Sequence, residues 1–248
     1  MVGLAELLVV SLALNTVVFL FAYALRTDVL TDATYSLSFV VLVMLAVGSD
    51  TTFVRLLVAG MVVVWAARLG FFLVSRIIAS GRDRRFDAIR GSFVRFFGFW
   101  LLQGLAAWIV LLPVFLFMRG DASSVWWLGI LIWLIGLLIE SIADVQKRRF
   151  SRERPGMMID SGLWRYSRHP NYFGEILCWV GVYVFVVPSL VGLEPLIALA
   201  SPLFIAFVLI FVTGIPPLER LGKKRWGRAY ESYVERTSML VPWPPRRR

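Results

Sequence analysis

Of the 248 residues, 59% are hydrophobic and 15% aromatic against only 17% charged, a balance that excludes an ordinary soluble globule and points to an integral membrane protein. The formal net charge of +10 is concentrated in a few places, so it reads as membrane orientation and not as a nucleic-acid footprint. A single cysteine, Cys178, excludes an intramolecular disulfide and the paired spacing of a zinc or redox site.

About 20 apolar residues suffice to cross the hydrocarbon core, and on that criterion seven spans are predicted, at about 3–25, 29–48, 53–75, 93–118, 125–143, 171–189 and 191–214. The first lacks a basic leader and a small-residue cleavage site, so it is expected to be a retained span and not a signal peptide. The second opens with "LTDATYSLSF", where Asp32 and Tyr35 stand three apart on one helical face. Cys178 lies inside the sixth span and reads as a small buried hydrophobe. No internal repeat or low-complexity linker divides the chain, which predicts a single all-α domain.

Basic residues cluster in three segments: six in 76–95, seven in 147–168 and nine in 220–248. Cytoplasmic loops are the ones that carry such excess. Seven spans put all three segments on that side if the N-terminus is outside and the C-terminus inside. Attraction to anionic head groups accounts for a plain run such as "PPRRR" at the C-terminus. The connection between the fifth and sixth spans differs, because carboxylates and aromatics interrupt its cations.

That connection holds "ESIADVQKRRFSRERPG" (140–156) and "GLWRYSRHPNYFGEI" (162–176). If the fifth helix continues past the membrane, Glu140, Asp144, Lys147 and Arg148 recur every three or four residues on one face. Two uses are open to such a stripe: Lys147, Arg148 and Arg152 holding phosphates while Glu140 or Asp144 takes hydrogen bonds from a sugar, or an intrahelical ladder of ion pairs. Pro170 is expected to start the next helix, since its missing donor costs nothing there. Asn171 and Glu175 then share a side of that helix, and a carboxylate at the depth of Glu175 implies a partner or a water-filled cavity. The only histidine, His169, could act as a general acid, a phosphate donor or a metal ligand. With one histidine, one cysteine and no HExxH, no metal site is expected. Trp164, Tyr166 and Tyr172 beside Arg165 and Arg168 resemble a stacking surface for a flat charged cofactor. GxGxxG, GxxxxGK[ST] and GxSxG motifs are all absent, so any nucleotide must be held by helices and their loops.

These two stretches, with "PPLERLGKKRWGRAYESYVERTSMLVPWPP" (216–245) after the last span, resemble the membrane-bound steroid 5α-reductase and sterol Δ14-reductase superfamily, most closely its uncharacterised prokaryotic branch. The resemblance runs from about residue 140 to the C-terminus, with an echo in "RIIASGRDRRF" (76–86). It implies NADPH as cofactor, held by a cytoplasm-facing half of the domain at about 140–248. It also implies hydride transfer to an electron-poor carbon–carbon double bond of a lipophilic steroid- or sterol-like enone taken from the bilayer. Carried over residue by residue, it assigns cofactor contacts to Asp144, Lys147, Arg152, Trp164, Tyr166, Arg168, His169, Asn171, Tyr172, Glu175, Glu219 and Tyr233, with Arg82 in the 3/4 loop. The Gln-Glu pair and the tyrosine that polarise the 3-oxo group in the steroid enzymes have no match here. Asp32 and Tyr35 are the substitutes as catalytic residues, a carboxylic acid kept neutral by an apolar cleft being able to donate to a developing enolate. The other reading of Asp32 is a helix-start residue favoured by the macrodipole.

"RHPNYFG" and the spacing of Glu219, Tyr230, Tyr233 and Pro242 are also similar to isoprenylcysteine carboxyl methyltransferases and bacterial phospholipid methyltransferases. That resemblance implies S-adenosylmethionine held by His169 and Glu219, with proximity doing most of the catalysis. Seven spans and the surplus cations of "DVQKRRF", suited to a 2'-phosphate, favour the reductase reading.

Overall fold

The structure is a computed structural model that describes residues 2–25, 27, 29–49, 51–80, 89 and 91–246. Among them the chain is all-helical, and seven helices are long and apolar enough to cross a membrane. The seven coincide with the seven hydrophobic runs, because in lipid only a helix satisfies its own backbone groups. The protein is thus a polytopic membrane protein.

Helices α1 (Leu4–Ala24), α2 (Val29–Val47), α3 (Phe53–Ser80) and α4 (Phe93–Val110) are followed by α5 (Leu112–Arg119). The fourth hydrophobic run, read as one span over 93–118, is broken at Leu111, where Pro113 in the first turn of α5 removes a backbone donor. Next come α6 (Leu128–Glu153), α7 (Pro170–Val186) and α8 (Glu194–Phe207). A π-turn at Val208–Val212 and Gly214 separate α8 from α9 (Ile215–Trp226), and α10 (Arg228–Arg236) follows. The first turn of α9 contains Pro216 and Pro217, tolerated where no intrahelical donor is needed.

The chain forms two compact units. The first contains Met1–Trp126 and Val186–Ser201, with α2 packed between α1 and α3, and α4 against α1. Phe19, Phe96 and Trp100 form its aromatic core, with ring centres 5.6 Å and 6.1 Å from Phe19. Polar side chains tie the helices together where water cannot. Asn15 Nδ2 donates to the Ser11 carbonyl at 2.9 Å and to Ser38 Oγ at 3.1 Å, and Ser11 Oγ donates to the Gly104 carbonyl at 2.8 Å. Gln103 donates to the Thr31 carbonyl at 2.8 Å.

The second unit contains Trp127–Phe185 and Pro202–Arg248. Its antiparallel pair α6 and α7 meets along a seam of glycines seven residues apart on each helix, Gly129 and Gly136 facing Gly174 and Gly181. A methyl group on Gly136 would lie 2.7 Å from the Cys178 amide nitrogen and the Gly174 carbonyl oxygen, and one on Gly174 would lie 2.6 Å from the Glu140 amide nitrogen and the Gly136 carbonyl oxygen. Small residues at this spacing let two helices approach to backbone contact, which in lipid is a main source of association. Cys178 lies in the seam, 1% exposed, with Sγ 3.7 Å from the Trp133 carbonyl.

The seam predicts that Gly136→Ala or Gly174→Ala forces the helices apart. Overpacking of this kind costs about 1–3 kcal/mol, read as a drop in melting temperature of the detergent-purified protein. Gly60→Ala on α3, with nothing within 4 Å of the added methyl, is expected to leave the melting temperature unchanged or raise it.

Candidate functional site

Helix α6 does not stop where its apolar run ends but continues to Glu153. Its Glu140, Asp144, Lys147 and Arg148 therefore share a face, as their spacing predicts. At the apolar end this face is enclosed, Glu140 being 2% and Asp144 5% exposed. Farther out Lys147 extends its ammonium over the Trp164 ring, 4.7 Å from the ring centre, a cation–π contact. Arg152 is exposed.

The chain returns to the membrane through a short 3₁₀ turn, Gly162–Arg165. Gly162 has φ +62°, and a side chain there would collide with Gln146. Its absence lets the Gln146 side chain accept from the Leu163 amide at 2.9 Å. Trp164 is buried and fixed twice, its indole N–H donating to the Ala143 carbonyl at 3.0 Å and its own carbonyl accepting from the Tyr233 hydroxyl. Tyr166 is exposed. Ser167 Oγ donates to the Leu240 carbonyl at 2.7 Å and accepts from the His169 amide at 3.1 Å.

One carboxylate then gathers the site. Glu219 on α9 accepts from Arg168 Nε at 2.9 Å and Nη2 at 3.4 Å, a forked ion pair, and from His169 Nε2 at 2.9 Å. The Tyr230 hydroxyl is close enough to feel the Glu219 charge. The remaining Arg168 nitrogen, Nη1, donates to the carbonyls of Thr237 at 2.8 Å and Val234 at 3.2 Å. Burial, reinforced by the Glu219 charge, pushes the Tyr230 hydroxyl well above its ordinary pKa, and burial does the same for Tyr233. Both phenols therefore stay protonated near neutral pH.

His169 is buried and stacks flat on Tyr172, ring centres 5.6 Å apart and planes 6° from parallel. Desolvation lowers its pKa; Glu219 opposes this, while Lys147 and Arg168 add to it. A carboxylate can only accept, so the neutral imidazole carries its proton on Nε2 and leaves Nδ1 as an acceptor. Helix α7 begins at Pro170 as expected, and Asn171 and Glu175 lie half-buried on its first two turns.

The second unit thus brings together Lys147 with Trp164, Trp164 with Tyr233, Arg168 and His169 with Glu219, and His169 with Tyr172. Asp144, Arg152, Tyr166, Asn171 and Glu175 belong to the same unit. Asp32 and Tyr35 belong to the first unit, on the first turns of α2. Asp32 is buried there, and Tyr35 meets Phe39 edge-on at 5.1 Å. Arg82 lies outside the described residues. Among the described residues no group of three or more His, Cys, Asp or Glu could hold a metal ion. Sequence reasoning missed Gln146 and Ser167 as the groups that shape the turn, and no local signal marks either. It also missed the C-terminal strap, whose "VPWPPRRR" places a tryptophan between prolines beside a cationic run.

Two outcomes follow. Glu219→Gln removes the charge facing Arg168 and is expected to lower the melting temperature more than Glu231→Gln, whose partner Lys223 is solvent-exposed at 3.2 Å. The lowered pKa of His169 also carries a sign. The unfolded chain takes up the imidazole proton on falling through the ordinary value of 6.5, before the folded chain does. The associated stability is present above 6.5 and is lost as pH falls through the folded value. The melting temperature should decline on acidification below 6.5, and His169→Asn should flatten that decline.

No curated protein and no solved structure matches the chain. A family model described as "Protein of unknown function (DUF1295)" matches residues 18–237. Because the match takes in the last turns of α1, the 3/4 loop, the glycine seam and every residue that Glu219 gathers, the chain belongs to the DUF1295 family.

Proposed function

We propose that the second unit binds NADPH and that the protein is a membrane-bound reductase, delivering hydride to a carbon–carbon double bond of a lipophilic steroid- or sterol-like enone. The observation that carries this reading is a pair of contacts in one unit, Lys147 over the Trp164 ring and His169 stacked on Tyr172: a cation, aromatic rings and a neutral imidazole. A dinucleotide needs all three, cations for phosphate, flat surfaces for its rings, and a hydrogen-bonding group that adds no second charge. The exposed Arg152 offers a further phosphate contact one turn beyond Arg148.

In this reading the bound dinucleotide supplies a hydride to the β-carbon of the enone. Lys147 and Arg152 hold phosphate, Arg168 and Glu219 fix His169, and Asn171 and Glu175 orient the reactive end through hydrogen bonds. Asp32 and Tyr35 are proposed as donors to the enone carbonyl, whose oxygen gains negative charge as hydride arrives, while water protonates the α-carbon. The charge distribution supports a cytoplasmic side for the 3/4 loop, the 5/6 connection and the C-terminal segment in a bacterial plasma membrane.

One specific observation favours a second reading, S-adenosylmethionine-dependent methyl transfer. His169 and Glu219, fifty residues apart, meet at 2.9 Å, and they are the two positions which the methyltransferase resemblance assigns to the methyl donor. A ligand that binds only the folded state raises its melting temperature, so detergent-purified protein is melted with NADPH, NADH or S-adenosylmethionine. NADPH alone should give a rise, and Lys147→Gln should diminish it. Asp32→Asn should retain the rise and lower enone turnover. A rise with S-adenosylmethionine alone would replace the reductase reading with methyl transfer.

A further inference from the structure

After α10 the chain does not leave the protein but straps back across it. The Arg168 amide donates to the Ser238 carbonyl at 2.8 Å, the Trp243 amide to the Tyr166 carbonyl at 3.0 Å, and the Arg246 amide to the Arg236 carbonyl at 3.0 Å. The strap borders an open cavity of about 380 Å³, lined by Arg168, Glu235, Arg236, Met239, Trp243 and Arg246 among others. Its lining has three guanidiniums and the Glu235 carboxylate.

These three arginines are not equivalent. Arg168 is committed to Glu219 and two carbonyls, as described above. Arg236 is half-exposed and paired with Asp160 at 3.1 Å. Arg246 is held by its backbone, and among the described residues its guanidinium makes no ion pair. Beside these charges the strap exposes apolar side chains, Trp243 at 69%, with Val241 and Met239. Arg168 stands two residues before Pro170, where the sixth membrane-crossing helix begins. One wall of the cavity therefore lies within two residues of the end of a membrane-crossing helix. Tryptophan and arginine are the residues that such a boundary selects, the ring lying among glycerol and upper acyl chain and the guanidinium reaching phosphate.

The geometry points to an anionic phospholipid as the occupant: its phosphate lies against Arg246 and Arg236, and its acyl chains pass along Trp243 and Val241. A zwitterionic head group brings its own cation and gains little from the Arg246 guanidinium, whereas phosphatidylglycerol presents phosphate without one. The two groups placed on the lipid phosphate, Arg246 and Arg236, are not among the residues assigned to the cofactor.

The test is native mass spectrometry of the intact detergent-purified chain titrated with phosphatidylglycerol or phosphatidylcholine, alone and with millimolar inorganic phosphate. Wild type should retain phosphatidylglycerol in preference. Arg246→Gln should weaken that retention about fivefold, and Trp243→Ala should shorten it. Both leave the backbone hydrogen bonds of the strap in place. Lys224→Gln, which removes an equal charge from an exposed position on α9, should change retention little. Equal effects of Lys224→Gln and Arg246→Gln would reduce the preference to diffuse surface charge and overturn the site. Displacement of lipid by inorganic phosphate would overturn it in favour of a soluble anion.

Discussion

The carboxylate of Glu219 is the constraint on which the second unit's polar architecture rests. It faces a forked guanidinium, an imidazole and a phenol at once, and each of those groups costs more to enclose without it than with it. Through Arg168 it also fixes the end of α10, because the same guanidinium caps the carbonyls of Val234 and Thr237. Three parts of the sequence, the end of the 5/6 connection, α9 and α10, are thereby locked into one arrangement. A lysine in place of Arg168 would offer a point charge to a site that uses a planar fork and a second pair of directions. The stacked rings of His169 and Tyr172 inherit their orientation from this lock.

The glycine seam does for the apolar part of the unit what Glu219 does for the polar part. Lipid offers no hydrophobic reward for bringing two helices together, so α6 and α7 associate through contact made close by absent side chains. That contact has a chemical effect at its end. Gly174 lies against the Glu140 backbone, so Glu140 is enclosed by a neighbouring helix and not by solvent, and Asp144 one turn on is buried too. The stripe that reads in sequence as either a ligand surface or a solvated ladder is buried at one end and open at the other, with Lys147 at the transition.

Much of this was legible in the sequence because it is local. Hydropathy locates seven helices, Pro170 starts α7, and the period of Glu140, Asp144 and Lys147 carries α6 beyond its apolar run. What was illegible is non-local or stereochemical. Nothing near Arg168 shows that its carboxylate lies 51 residues away. Glycines in an apolar run look like breaks in hydrophobicity until a facing pair is known. The split at Leu111 and the π-turn before Gly214 are departures within continuous apolar runs, which hydropathy averages away. The candidate residues also differ in kind: Trp164 and Tyr233 are hydrogen-bonded into the unit's own framework, whereas Arg152 is exposed and Asn171 and Glu175 are half-buried on its helices.

The burial of Cys178 has a practical meaning. Its sulfur is sealed between α6 and α7 behind a backbone contact that admits no additional atom, and the chain has no other thiol. Toward maleimides, methanethiosulfonates and spin-label reagents the folded native protein already behaves as a cysteine-free background. Accessibility labels, fluorophore pairs and cross-linkers can be introduced one position at a time on an unaltered seam, and each signal will belong to the introduced site.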